Sequence, residues 1–75
     1  MNTAQRDHQI AVGWIDAEIE TLLRDVGKPN ASSAARSSIT LAFMLRAIDE
    51  AEHRHYQARI DKIYATYNAS LSSAA

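Results

Sequence analysis

From Ile39 to Leu71 the chain runs without a glycine or a proline, and its apolar residues recur three and four positions apart. That spacing marks an amphipathic helix, whose turn takes about 3.6 residues. The other helix-like segment, about Thr3 to Val26, is shorter. An antiparallel hairpin of two unequal helices leaves the end of the longer one without a partner in its own chain. Folding about Lys28 and Pro29 sets Ile15 near Ala42 and His8 near Asp49 to Glu52, so the first helix runs out opposite Arg54. Tyr56, Ile60, Ile63, Tyr64, Tyr67 and Leu71 then lie on an overhang of about 25 Å, at a rise of about 1.5 Å per residue. A projecting helix with such a stripe does not stay single in water.

The expected fold is all-α: a helical hairpin with a long second helix, assembling as an oligomeric bundle, in the simplest case a dimeric four-helix bundle. Residues 1–75 form one domain, with helix 1 at about 3–26, a turn at 27–30, helix 2 at about 31–70 and a frayed tail at 71–75. A third helix folding back needs a breaker between 55 and 65, and that stretch offers none.

Capping chemistry supports the first boundaries. Asn2 or Thr3 can accept from a free amide of the first turn. Gly27 suits a left-handed residue after the helix, Pro29 cannot continue it, and Asn30, Ser32 or Ser33 offers the next cap. Within helix 1, Ala11, Ile15, Ile19, Leu22 and Val26 share a face, and Ile10, Trp14 and Ala17 form a second, narrower strip. In helix 2, Leu41, Met44, Ile48, Ala51, His55 and Ala58 read as a continuous seam.

Composition removes several function classes. The 75 residues include no cysteine, so disulfides, thiolate metal sites and a cysteine nucleophile are excluded. A domain this small then needs oligomerisation or a metal to gain comfortable stability. Eight basic and nine acidic residues are interspersed, for a net charge of −1. That is not the clustered basic excess of a nucleic-acid footprint. The only glycines are Gly13 and Gly27, which form no phosphate loop, and no serine sits in a nucleophile elbow. No enzymatic activity and no cofactor are expected.

Two weaker constellations remain. Glu52 and His55, with His8 brought near by the hairpin, have the Glu-x-x-His spacing of bundle metal sites. The competing Glu50 and His53 pair faces another side of the helix, so the expectation is a solvated polar segment and no metal. Lys28, Ser33, Arg36 and Ser37 would face nucleic acid if residues 22–40 formed a helix-turn-helix.

The leading expectation is a small non-enzymatic protein-interaction module that assembles with itself and binds another protein, regulating or inhibiting it. A nucleic-acid-binding regulator is the alternative, and a bundle binding a metal or small ligand is a third. The interface residues are Ile10, Trp14, Tyr56, Ile60, Ile63, Tyr64, Tyr67 and Leu71, since aromatic and large apolar side chains concentrate where proteins meet. The N-terminal segment lacks the basic-then-apolar layout of a secretory signal, and the apolar run 39–45 is too short to span a bilayer. A soluble, cytoplasmic protein without membrane contact is expected.

Overall fold

A computed structural model describes residues 2–74 and contains three helices, α1 (Thr3–Asp25), α2 (Ser33–Met44) and α3 (Glu50–Ala74). The chain is all-α, as its periodicity requires. The span expected as one helix over 31–70 is two helices, separated by a reversal at residues 45–49. The tail expected to fray at 71–75 continues α3 through Ala74, while Met1 and Ala75 lie outside the described residues.

Capping explains each boundary. At the start of α1 the Asn2 side chain accepts from the Gln5 amide at 2.8 Å, and the Gln5 side chain accepts from the Asn2 amide at 3.1 Å. This is a reciprocal capping box that satisfies two amides the helix cannot. After α1, tight turns tie the Lys28 amide to the Asp25 carbonyl and the Ser33 amide to the Asn30 carbonyl. The left-handed residue of this connection is Asn30, at φ 60°, and no glycine has a positive φ. The expected left-handed role of Gly27 is therefore incorrect. Gly27 answers to packing instead, because a Cβ there would stand 2.6 Å from the Tyr67 hydroxyl.

The reversal between α2 and α3 is built from two hydrogen-bonded devices. The Ala47 amide donates to the Ala42 carbonyl at 2.8 Å and the Arg46 amide to the Phe43 carbonyl at 3.0 Å, with Arg46 at φ 60°. This is the Schellman pattern, with an arginine where glycine is usual. Two residues later the Asp49 carboxylate accepts from the Glu52 amide at 2.8 Å, and Glu52 accepts from the Asp49 amide at 3.0 Å. The left-handed arginine costs about 1–2 kcal/mol. Against it stands the burial of Tyr56 and Ile60 by the returning helix, at about 1.5–3 kcal/mol for each large apolar side chain.

α3 covers one side of the α1–α2 hairpin and runs parallel to α1. His8 meets Glu52, Asp16 meets Arg59, and Gly27 lies beside Tyr67, so the two helices advance together. α2 runs opposite to both, and Arg36 reaches across to Gln57 and Asp61. The bundle measures 52 × 19 × 18 Å. Its core is Ile15, Ile19 and Leu22 from α1, Ala35, Ile39 and Ala42 from α2, Ile48 from the reversal, and Tyr56 and Ile60 from α3. The inward face expected on helix 1 is therefore correct. The continuous seam expected on helix 2 is not: of its members only Ile48 is buried, and Met44 is 72 % exposed. Once the helix breaks, the residues on either side no longer share a face.

Candidate interaction surface

The hairpin of α1 and α2 has a second apolar side, opposite the one that α3 covers. Ile10 and Trp14 form its wall on α1, Leu41 on α2 and Leu45 at the α2 C-cap form the other, and all four leave half or more of their surface in water. Between them lies a groove of about 540 Å³ whose floor includes Ala11, Ser38, Ala42 and Ala47. Small side chains keep the floor low, and the Ser38 hydroxyl donates to the Ala35 carbonyl at 2.8 Å, so it makes no demand on an occupant. Asp7 and Arg46 also line the groove, one from the start of α1 and one from just past the end of α2, which is the same end of the antiparallel pair. Arg46 forms no ion pair among the described residues, and Asp7 meets only Arg6, at 3.8 Å.

The geometry follows from helical spacing. Residues 10 and 14 share one strip of α1, while 15, 19 and 22 share another about a third of a turn away. On α2 and its C-cap, Leu41 and Leu45 lie about a third of a turn from Ala35, Ile39 and Ala42. A helix with two apolar sides has two surfaces to cover, and α3 covers one.

The tyrosine stripe has a different fate. Tyr56 and Ile60 belong to the core, and Ile63 and Tyr64 pack half-buried against it. Tyr67 is half-buried beside Gly27. These side chains find within the chain the partner that the hairpin reading sought in another subunit, so Tyr56 and Ile60 are corrected from interface to core. Leu71, past the α1–α2 turn, remains 53 % exposed. Leu41 and Leu45 were not among the expected interface residues; the continuous seam had drawn Leu41 inward.

His8 Nε2 and Glu52 Oε2 lie 2.5 Å apart, and the other Glu52 oxygen caps α3. The bond to His8, and then that from the Asp49 amide, hold the Glu52 carboxyl below its ordinary range, outweighing partial burial. His55 does not join them; its ring stands edge-on to Tyr56, 5.3 Å between centroids. Among the described residues no group of three or more His, Asp or Glu side chains converges. Burial, and next the Asp16 charge, push the Tyr56 hydroxyl above its ordinary range.

Of the residues weighed for nucleic acid, Arg36 is engaged within the bundle, at 2.6 Å from Gln57 and 3.1 Å from Asp61. Lys28 pairs with Asp25 at 3.3 Å, and Ser33 and Ser37 are exposed on α2. Among the described residues no helix is long and apolar enough to cross a membrane.

Comparison with protein-family models, with curated proteins and with solved structures finds no match to this chain.

Proposed function

We propose that this protein is a non-enzymatic interaction module: it assembles with itself, binds another protein and regulates or inhibits it, and works in the cytoplasm. The observation that carries this reading is the α1–α2 groove, whose two walls hold four large apolar side chains that stay exposed. An apolar trough with a floor of small residues suits a helix laid into it. Trp14, exposed at 59 %, is the residue type that most often dominates such contacts. A chain without cysteine suits a reducing compartment.

The test compares affinity capture by the wild type with capture by a Trp14→Ala, Leu45→Ser variant. Both substitutions lie on exposed positions, so circular dichroism should show an intact helical fold. The variant is expected to lose partners and self-association by about tenfold or more, the loss of one or two central contacts. Equal capture and equal assembly by both proteins would remove the reading.

A further inference from the structure

We infer that the occupant of the α1–α2 groove is a second copy of this chain, related by a two-fold axis running along the helices, with Asp7 of each copy paired to Arg46 of the other. The inference rests on the reading of that groove as a contact surface, and it adds the occupant, the symmetry and the pairing.

The groove is complementary to itself. Its walls stand on two antiparallel helices, so turning a copy by half a turn about the bundle axis sets each α1 against the other copy's α2. All neighbouring helices in the resulting four-helix layer are antiparallel, the usual arrangement of such bundles. The same rotation brings the two charged residues of the groove into register. Asp7 and Arg46 flank the same end, one on α1 and one just beyond α2, so each acid meets a base and each base an acid. A two-fold axis perpendicular to the helices would send both to the far end of the partner's groove, which carries no such pair among its lining residues. An isologous contact needs a surface of this kind, in which a patch supplies its own complement.

Size points the same way. Ile10, Trp14, Leu41 and Leu45 are 58 %, 59 %, 51 % and 70 % exposed. With large side chains of about 150–250 Å² each, they leave roughly 360–600 Å² of apolar surface in water. Two such patches and their polar rims reach about 1,200 Å², the lower bound of a specific interface. The floor of Ala11, Ser38 and Ala42 lets the second pair of helices approach closely.

Trp14 is the only tryptophan, so its fluorescence reports the groove alone. Light scattering on the full chain should give twice 8.3 kDa at high concentration, and Trp14 emission should move to the blue along the same concentration curve. Asp7→Arg and Arg46→Asp each set like charges together twice in the dimer and should raise its dissociation constant about tenfold or more. Arg46→Asp keeps a residue type that tolerates the left-handed backbone. The double swap should return to within about threefold of wild type. A dimer whose double swap stays as weak as the worse single variant overturns the inference, as does one indifferent to all three variants. A protein monomeric at every concentration also overturns it. In that case the self-assembly in the proposed function falls with it, and a synthetic amphipathic Leu/Ala helical peptide tests the part that is left, the binding of another protein. If it shifts Trp14 emission, the groove remains a contact surface for another helix; if it does not, the proposed function falls too.

Discussion

The two apolar sides of the α1–α2 hairpin make an internal comparison. The inner side carries Ile15, Ile19, Leu22 and Ile39, each at 0 % exposure, under a helix from the same chain. The outer side carries Ile10, Trp14, Leu41 and Leu45, half or more exposed, with nothing over them among the described residues. Both have helical spacing and large apolar residues. The difference lies in the clamps around them. Arg36 to Gln57 and Asp61, Arg59 to Asp16 and His8 to Glu52 all fasten α3 to the inner side. Each exposed pair contributes only about 0–1 kcal/mol, so these contacts select a direction more than they supply stability. Apolar spacing says that a surface must be covered; polar contacts at its rim say by what.

The largest test of this contrast uses two residues that are near neighbours on α2. Ile39→Ala removes a fully buried side chain and should cost about 2–5 kcal/mol in urea unfolding, whatever the protein concentration. Leu41→Ala, at an exposed position, should cost less than about 0.5 kcal/mol in dilute solution. Its effect should grow as concentration rises into the range where the outer side is covered. Equal costs at all concentrations would show that the two sides do not differ.

A smaller effect is expected at the device that turns α3 toward the inner side. Asp49→Ala deletes the carboxylate that accepts from the Glu52 amide and should cost about 1 kcal/mol, the usual loss for a helix N-cap. Amide exchange should quicken first near residues 50–53, before the core of α1 responds. Uniform quickening along all three helices would place the role of Asp49 elsewhere.

The smallest effect is a pH dependence. The folded state lowers the Glu52 carboxyl below its ordinary 4.5, so folding favours the charged form. The stability so contributed is present above pH 4.5 and is lost as pH falls from there through the lower folded value. For a carboxylate at a helix N-terminus, partly exposed, it amounts to about 0.3–1 kcal/mol. Glu52→Gln keeps a side chain able to cap but not to ionise, so its urea midpoint should fall less between pH 6 and pH 3 than that of the wild type. Parallel curves would show that Glu52 is not the group responsible.

Helix α1 was legible in its extent and its strips, though not in the residue that turns left-handed after it. Asn2, one of the two caps expected, begins it, Pro29 follows its end, and its two apolar strips can be counted from spacing alone. The break at 45–49 was not, because its left-handed position holds Arg46 where glycine would have announced it. The remaining signal was Asp49-x-x-Glu52, a capping box lying in a segment where carboxylates and histidines also suggest metal ligands. Missing that break turned a three-helix bundle into a hairpin with an overhang and moved Tyr56 and Ile60 from the core to a supposed interface.

The sequence by itself determined that the chain is helical, which residues line each strip, and that its apolar surface exceeds what two helices can hide. Those properties depend on near neighbours: the hydrogen bonds of a cap reach three residues, and the period of a strip shows within two turns. Only the tertiary structure decided which strip α3 covers and which stays open. That choice joins residues distant in the chain, such as Asp16 with Arg59 and Arg36 with Asp61. The partners in these pairs stand 43 and 25 positions apart, so a pattern read over near neighbours does not show them.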